Sequence, residues 1–196
     1  MTDTLLSIAR SWCTLDSDES PLNELQEWVR QRNETIAVSI RKISLEETGT
    51  WFYEKKTGCI CNQEHSFFQI TGYQQKIADS SVVTQPVILQ EEIGYLGILC
   101  QEINGVMHFL MQAKIEPGNV NKIQISPTTK SNFTRKHGGA APPYLEYFLN
   151  ASQYETVVDQ IQSEQSSRFY KKRNRNIILR VEEKIKLLPY YRWMTL

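Results

Sequence analysis

The segment YLGILCQEINGVMHFLMQAKIE, residues 95–116, carries the clearest fold signal in the chain. Two apolar runs, 95–99 and 106–111, flank Asn104-Gly105, a pair suited to the positive backbone angles of a tight hairpin turn. The segment therefore predicts a β-hairpin.

The second arm of this hairpin should present two different faces, because side chains alternate across a strand. One face is apolar and is expected to pack, and it carries Phe109, Met111, Ala113 and Ile115. The other face is polar and open to solvent or a ligand, and it carries Gln112, Lys114 and Glu116.

Upstream of the hairpin, the chain is expected to begin with helices. Ser20-Pro21 precedes apolar residues at helical spacing over 22–29, which predicts an N-cap and a proline in the first turn of a helix. Alternation over 36–43 predicts a strand, and the aromatic residues 51–53 before Thr57-Gly58 predict a second strand and a turn.

Downstream of the hairpin, the turn residues 117–119 lead into another alternating strand over 123–126. Its apolar side is formed by Ile123 and Ile125, and its polar side by Gln124 and Ser126. The next stretch, 128–143, is rich in Gly, Pro, Thr and Asn and predicts a long exposed loop.

The C-terminal part of the chain has weaker patterns. We expect a short helix over 144–150 and a strand over 177–181, whereas 163–175 fits either helix or loop. The tail 189–196 resembles a helix entry, because proline is tolerated in a first turn.

Size and composition indicate a single globular unit. The chain has 196 residues, of which 40% are hydrophobic and 22% charged. No internal repeat is apparent, so we expect an α+β fold with a mostly antiparallel or mixed sheet and flanking helices. The N-terminal helices should occupy about residues 1–33 and the core about 34–196.

Charge and segment length argue against several functional classes. The 22 Lys and Arg residues balance 22 Asp and Glu residues, so no overall field draws the protein to nucleic acid or an anionic membrane. The first residues lack the basic start and apolar run of a signal peptide, and no segment is long enough to cross a bilayer. We therefore expect a cytoplasmic protein.

The four cysteines are too few and too irregularly spaced for a disulfide scaffold or a paired zinc motif. Cys59-x-Cys61 could be half of a metal site, but no His or Cys cluster in the sequence completes it. Two reduced cysteines on a strand are the simpler interpretation. We expect neither a metal nor a cofactor.

A set of ordered motifs resembles the NDP-hexose 2,3-dehydratase family and covers most of the chain. The motifs are WFYEKKTG (51–58), FF-x-I-x-G (67–72), QPVI (85–88), GYLGIL (94–99), MQAKIEPGNVNKIQISPT (111–128), SNFT (131–134), HGG (137–139), YLEYF (144–148), QSEQ (162–165) and KKRNRN (171–176).

The resemblance implies a fold related to the Nudix hydrolases and, in usual members, two tandem copies of this unit in a chain that dimerises. Only one copy is present here, so the unit would form a homodimer, pair with another subunit, or be part of a longer gene product, and of these we expect a homodimer. Only the final part of the Nudix metal-binding motif is present, as Glu91 and Glu92. Val87 and Ile88 occupy the positions of the Arg-Glu pair that would precede them, so carboxylate ligands for a divalent cation are lacking. We expect no Nudix-type pyrophosphohydrolase activity.

The family reaction removes the 2-hydroxyl of a 4-keto-6-deoxy sugar nucleotide and gives a 3,4-diketo sugar without a redox cofactor. It requires a base at carbon three, a donor to the ketone oxygen and an acid for the departing hydroxyl. His137 is the first candidate base or acid, because imidazole titrates near neutral pH and two flexible glycines follow it. A surface-loop histidine is the alternative.

Other candidate catalytic groups lie on the hairpin and after the loop. Lys114 and Glu116 share a strand face and could grip the sugar, or form only a solvated ion pair. Tyr144 offers a phenol, or is a packing aromatic with a satisfied hydroxyl. His65 and His108 are expected to be structural.

The substrate-binding candidates include polar residues of the strands and loop, and cations for the diphosphate. They are Gln112, Asn119, Asn121, Gln124, Ser126, Thr128, Asn132, Arg135, Gly138, Gly139, Glu146, Arg173 and Arg175. Guanidinium groups bind phosphate oxygens in a forked geometry, although a charge run such as 171–175 is often only a solvated face. Trp51 or Phe68 could stack on the base, but each fits the core equally well.

Three functions remain open at this point. The leading one is dehydration of a dTDP-linked 4-keto sugar. The second is dehydration or isomerisation of a non-sugar natural-product intermediate, favoured by Thr129-Lys130, where the family pattern has a longer stretch with an arginine. The third is a non-catalytic subunit that binds a nucleotide sugar, favoured by the single copy.

Overall fold

The structure is a computed structural model, and it describes residues 3–78, 81–131 and 141–196. The helices are α1 (Asp3–Cys13), α2 (Leu22–Thr35) and α3 (Leu145–Leu149), with 3₁₀ turns at Leu45–Thr48 and Ala151–Gln153. The strands are β1 (Trp51–Glu54), β2 (Cys59–Asn62), β3 (Gln69–Lys76), β4 (Val82–Leu89), β5 (Gly94–Ile103), β6 (Val106–Ile115), β7 (Ile123–Ser126), β8 (Thr129–Ser131), β9 (Glu155–Ser163), β10 (Phe169–Tyr170), β11 (Arg173–Arg180) and β12 (Tyr191–Met194).

These strands form two open mixed sheets, which confirms the α+β prediction. The five-stranded sheet has the order β1-β2-β3-β4-β10. The seven-stranded sheet has the order β12-β6-β5-β11-β9, with β7 paired to β6 and β8 paired to β5. The pairs β4–β10 and β5–β11 are parallel, and the other pairs are antiparallel.

The predicted hairpin is confirmed as β5 and β6. Its two turn residues both have positive φ, 53° at Asn104 and 78° at Gly105, as a two-residue hairpin requires. The strands pair from Ile103 with Val106 to Leu99 with Leu110.

The apolar face of β6 packs against the two N-terminal helices as far as Ala113, whereas Ile115, also predicted to pack, is exposed. Phe109 is buried in a cluster that includes Ile8 of α1, and Ala113 is buried beside Trp28 of α2. The opposite face is polar only beyond residue 111, because Leu110 lies at 0% exposure in the main core.

That main core lies between the sheet and α3. It joins Leu99 and Leu110 to Phe148 of α3 and to Ile177 and Leu179 of β11. Gly97 lets α3 approach closely, since a Cβ at this position would lie 2.5 Å from the Phe148 ring.

Beyond Leu99 and Leu110, β5 and β6 separate and the chain 123–131 fills the gap. There β7 pairs with β6 and β8 pairs with β5. The buried Thr128 lies where the strands part: its hydroxyl accepts from the Leu99 amide at 2.9 Å and donates to the Leu110 carbonyl. We call this arrangement the fork.

Several predictions about local structure are wrong. Residues 36–43 form no strand, since only Ile36 reaches the Trp28 cluster and no described strand pairs with the segment. The tail is strand β12 rather than a helix entry, because Tyr191 and Trp193 alternate into the core and pair with β6. Residues 129–131 form strand β8 rather than loop.

The start of α2 also differs from the prediction. Its N-cap is Pro21 and not Ser20, whose hydroxyl is hydrogen-bonded to that of Ser17 at 2.9 Å. The Leu22 amide donates instead to the carboxylate of Asp16 at 2.9 Å, so a residue six positions upstream caps the helix.

Among the described residues, no helix is long and apolar enough to cross a membrane. The predicted short helix over 144–150 and the strand over 177–181 are both present, as α3 and β11. The ambiguous stretch 163–175 contains the end of β9, β10 and the start of β11, and none of it is helical.

Candidate substrate-binding site

Polar residues of five strands lie around the open end of the fork. Lys114 of β6 is in register with Gln124 of β7, and Lys130 of β8 with Leu96 of β5. On the other side of β5, Tyr95 is in register with Arg175 of β11. We call this region the open end.

Three charged side chains form a linked group there. Glu116 lies between two lysines, with its carboxylate 3.3 Å from Lys114 Nζ and 3.1 Å from Lys130 Nζ. Partial burial alone would raise the pKa of Glu116, but the hydrogen bonds and charges of the two lysines outweigh it and lower the pKa below 4.5. Glu116 is therefore ionised at neutral pH and cannot donate a proton there.

Arg175 is a second charged feature, on β11 beside β5. Its guanidinium forms a forked pair with Asp159 of β9 at 2.6 and 2.8 Å and lies over the Tyr95 ring, 5.6 Å from the centroid. The hydrogen bonds from Arg175 lower the pKa of the Asp159 carboxyl. Since Asp159 already binds two nitrogens of the Arg175 guanidinium, fewer of its donors remain for a phosphate.

The predicted cationic run 171–175 does not form one continuous patch. Lys171 and Arg173 are exposed, whereas Lys172 is buried at 3% exposure and donates from Nζ to the Glu92 carbonyl. Burial lowers the pKa of Lys172 against the opposing charge of Glu92. Strand alternation thus divides the run, and only its outward cations can meet a ligand.

Three of the predicted ligand-binding side chains are used in holding the backbone. Gln112 donates to the Pro127 carbonyl at 2.8 Å, and Asn119 donates to the Lys114 carbonyl at 3.0 Å. Thr128 is fully buried in the fork. These residues shape the open end without facing into it.

Tyr144 has the contacts of a packing aromatic. It is 7% exposed, packs edge-to-face on Tyr191, and its hydroxyl donates to the Lys186 carbonyl and accepts from the Leu188 amide. Burial raises its pKa above 10. The phenol therefore lies in the core, which is the alternative that the sequence left open.

The remaining predicted residues fall into two groups. Asn121, Gln124, Glu146 and Arg173 are exposed, and Ser126 is half-buried at the end of β7. Asn132, Arg135, His137, Gly138 and Gly139 lie outside the described residues.

The segment that carries His137 has both flanks anchored at one place. Thr129, before it, is buried and in register with Gly97. Phe148, after it, contacts the same Gly97. Ser131 is the last described residue before this segment, and it is in register with Tyr95, which is itself in register with Arg175. The backbone of Ser131 therefore lies two strand spacings, about 10 Å, from that of Arg175.

Sequence reasoning missed a groove on the five-stranded sheet. It has a volume of about 530 Å³ and includes Tyr73 and Gln75 of β3, Gln85 of β4, and Tyr170 with Lys171. The rings of Tyr73 and Tyr170 lie 6.1 Å apart, and Lys171 Nζ lies 5.2 Å from the Tyr170 centroid. Tyr73 and Gln75, like Val83, Gln85 and Val87, are spaced two residues apart and so share one face of a strand. This period of two was a sequence signal that could have located the groove.

The aromatic residues considered for base stacking, and His108, have packing and hydrogen-bond contacts within the protein. Trp51 and Phe68 pack on each other with centroids 4.8 Å apart. His108 is buried, with Nδ1 bonded to the Val106 carbonyl and Nε2 to the Ser17 hydroxyl. His65 is exposed, and its Nε2 lies 3.6 Å from a carboxylate oxygen of Glu54.

Comparison with known proteins identifies the family. The family model for NDP-hexose 2,3-dehydratase matches residues 22–196, from the first residue of α2 to the last residue of the chain. This chain belongs to the NDP-hexose 2,3-dehydratase family. The strands of the fork and α3 all lie within the matched part, and α1 lies before it.

Three curated relatives carry the same name, dTDP-4-dehydro-6-deoxy-alpha-D-glucopyranose 2,3-dehydratase. The Saccharopolyspora spinosa protein is 40% identical over 90% of this chain and 37% of its own length. The proteins from Amycolatopsis orientalis and Streptomyces violaceoruber are 37% and 38% identical, over 96% and 85% of this chain and 42% and 39% of their own lengths. This member of the dehydratase family thus spans about two fifths of the relatives that it matches.

Proposed function

We propose that this chain binds a dTDP-linked 4-keto-6-deoxyhexose and eliminates its 2-hydroxyl to give a 3,4-diketo product. The observation that carries the proposal is the 37–40% identity to three proteins named for this dehydration. The open end supports it by supplying the cations Lys114 and Lys130, which lie 3.3 and 3.1 Å from the Glu116 carboxylate.

In the proposed mechanism, the base removes the proton from carbon three, which the neighbouring ketone makes acidic. The electron pair forms the bond between carbons two and three, and the 2-hydroxyl leaves as water after it is protonated. The resulting enol loses its hydroxyl proton and gains a proton at carbon two, which gives the ketone at carbon three. Oxidation at carbon three is balanced by reduction at carbon two, so the step requires no external redox partner.

We assign the proton transfer from carbon three to His137 and the stabilisation of developing ketone charge to Lys114. An ammonium group fixed near that oxygen stabilises the transition state more than the ground state. Glu116 holds Lys114 and Lys130 in place, and its low pKa restricts it to this positioning role. Tyr144 has no proton-transfer role in this proposal, because both functions of its hydroxyl are already in use.

For the nucleotide, we propose that Arg173 and Lys171 contact the diphosphate and that the groove beside Tyr73 and Tyr170 receives the base. Aromatic rings offer stacking surfaces to a base, and the groove volume of about 530 Å³ suits a small ligand. Residues 171–173 connect the groove to the first residues of β11, so these contacts can follow one stretch of chain.

We further propose that residues 1–196 form one family repeat with a Nudix-related fold, and that the protein is a cytoplasmic homodimer. The alternative from another class is a non-catalytic subunit that binds a nucleotide sugar. The other alternative, a non-sugar substrate, is suggested by Thr129-Lys130, where the family pattern has a longer stretch with an arginine.

One experiment in two stages tests these functions. First, thermal unfolding is followed with dTDP, UDP and GDP, because a ligand of the folded state raises the apparent stability. Then the protein is incubated in D₂O with dTDP-4-dehydro-6-deoxyglucose, and loss of the 2-hydroxyl is followed by mass spectrometry. Stabilisation by dTDP with elimination supports the dehydratase.

The other outcomes discriminate between the alternatives. Stabilisation by dTDP without elimination or hydrogen exchange at carbon three would leave a binding subunit. No response to any nucleotide and no turnover would contradict the proposal and favour a non-sugar substrate. Native mass spectrometry of the same sample reports whether the active species is a dimer.

A further inference from the structure

The β1–β2 hairpin and the turn after it bring three metal-binding side chains together, away from the open end. A carboxylate oxygen of Glu54, the thiol sulfur of Cys61 and a ring nitrogen of His65 all lie within 4.8 Å of one another. The Glu54 oxygen and His65 Nε2 are 3.6 Å apart. We propose that these three residues bind a Zn²⁺ ion.

The donor atoms fit zinc better than other common metals. Zinc accepts thiolate sulfur, imidazole nitrogen and carboxylate oxygen in tetrahedral geometry, whereas calcium and magnesium require oxygen ligands. Zinc–ligand bonds of about 2.0–2.3 Å place tetrahedral ligands roughly 3.3–3.8 Å apart. A separation of at most 4.8 Å is therefore closed by small side-chain rotations, which the exposed His65 can make.

Neighbouring hydrogen bonds already orient the ligands. The Thr57 hydroxyl donates to one Glu54 oxygen at 2.6 Å, while the other oxygen is turned to His65. The Asn62 side chain clamps Ser66 through two bonds of 2.7 Å, and the His65 amide donates to the Asn62 carbonyl. Such outer contacts commonly fix the geometry of metal ligands.

The backbone of His65 is also unusual. Its φ of 49° lies in the left-handed region, which a residue with a side chain adopts at a cost. This conformation, held by the Asn62 clamp, brings the imidazole to Glu54 and to the edge of the Phe52 ring. A strained residue of this kind is more common at functional sites than elsewhere.

The local charge is suited to a cation. Cys61 is 1% exposed, and its sulfur lies within 4.8 Å of a Glu54 carboxylate oxygen. A dication binds the thiolate form of cysteine, so its binding would release the thiol proton and place two negative ligands side by side. Of the Cys59-x-Cys61 pair only Cys61 belongs to this site, and the fold supplies the other two ligands from β1 and the turn.

The three ligands leave the fourth zinc position to water, because Glu54 and His65 lie at the surface. The ion would connect β1, β2 and the turn at residues 62–66, because each of them supplies one ligand. The site is thus expected to stabilise this part of the five-stranded sheet. It is independent of the proposed dehydration, since none of its residues belongs to the open end or the groove.

The test is metal binding by the full chain after treatment with a chelator and gel filtration. We expect one Zn²⁺ per chain by elemental analysis, and a Co²⁺ derivative with tetrahedral visible bands and a thiolate-to-cobalt charge-transfer band. His65→Ala and Glu54→Gln should each weaken zinc affinity at least about tenfold. Zinc should raise the unfolding temperature of the wild type and not of His65→Ala.

Matched controls separate the site from adventitious binding. Glu64→Gln removes an exposed carboxylate beside His65, and Cys13→Ser removes an exposed thiol, so both variants should bind zinc as the wild type does. Cys61→Ser should lose the charge-transfer band. Because Cys61 is buried and its variant could misfold, the exposed His65 and the partly exposed Glu54 provide the decisive variants. Binding well below one ion per chain, or equal affinity in His65→Ala and wild type, would overturn the proposal.

Discussion

The Thr128 hydroxyl accepts a hydrogen bond from the Leu99 amide at 2.9 Å, at the point where β5 and β6 cease to pair. The same hydroxyl donates to the Leu110 carbonyl. One side chain therefore satisfies a backbone group on each of two separating strands, and β7 and β8 can enter between them. The open end, with Lys114 and Lys130, depends on this separation.

Replacing Thr128 by valine should destabilise the protein. The substitution keeps the shape but leaves a buried amide and a buried carbonyl without their partner, at a cost of about 1–3 kcal/mol. Urea unfolding should show a lower midpoint with an unchanged slope.

Thr129 provides the matched control for that variant. It is equally buried, but its hydroxyl finds no hydrogen-bond partner within the described ranges. Thr129→Val should therefore be neutral or stabilising. Equal losses in the two valine variants would show that the hydroxyl of Thr128 does not hold the fork.

The hairpin and the alternating strand β7 were predictable because their signals are local. Asn104-Gly105 specifies its own turn, and Ile123 with Ile125 specifies a period of two within four residues. The fork was not predictable in this way, since Thr128 bonds to residues 29 and 18 positions away in sequence. Loop-like composition at Thr128 therefore concealed a buried junction.

The site predictions failed or remained open for similar reasons. Composition does not show which polar side chains the backbone will use, so Gln112 and Asn119 were assigned to the ligand, whereas they hold turns and strands. A cationic run does not show that strand alternation turns Lys172 inward. The cluster of Glu54, Cys61 and His65 arises only when β1, β2 and the following turn have folded together.

Adding a methyl group at Gly97 should weaken the contact between β5 and α3. The new Cβ would lie 2.5–2.7 Å from the Phe148 ring, so Gly97→Ala should cost about 1–3 kcal/mol by overpacking. Gly72→Ala is the control, because a Cβ there meets nothing within 4 Å. Thermal unfolding measures both, and Phe148→Leu in the Gly97→Ala background should recover part of the loss. An unchanged melting temperature in Gly97→Ala would show that α3 is not packed this closely.

The charge group at the open end should make stability depend on pH in the acid range. The pKa of Glu116 is lowered in the folded state, so its contribution is present above the ordinary value of 4.5 and is lost as the pH falls through the folded pKa. Glu116→Gln should cost about 0.5 kcal/mol at pH 7, since solvent screens a partly exposed pair. The difference from wild type should shrink below pH 4.5 and decrease with added salt.

Glu91→Gln is the control for that pH series. Glu91 is exposed and forms no ion pair with any residue that the structure describes, so its variant should follow the wild type at each pH. Stability would be measured by urea unfolding between pH 3 and pH 7, roughly the range over which carboxylates titrate. A Glu116→Gln difference that persisted unchanged at the acid end would exclude the two lysines as its cause.

The last prediction concerns the proposed base. His137→Asn keeps a polar side chain that can form hydrogen bonds but cannot take up a proton near neutral pH. If His137 removes the proton from carbon three, kcat for dehydration should fall by roughly 10²–10⁴-fold, while stabilisation by dTDP should remain. Hydrogen exchange at carbon three in D₂O should fall in parallel with kcat, because both require the same base. Unchanged exchange with lost elimination would instead place His137 at the departing hydroxyl, and unchanged turnover would remove it from the mechanism. Glu91→Gln, far in sequence from the loop and without an assigned role, should retain full activity under the same conditions.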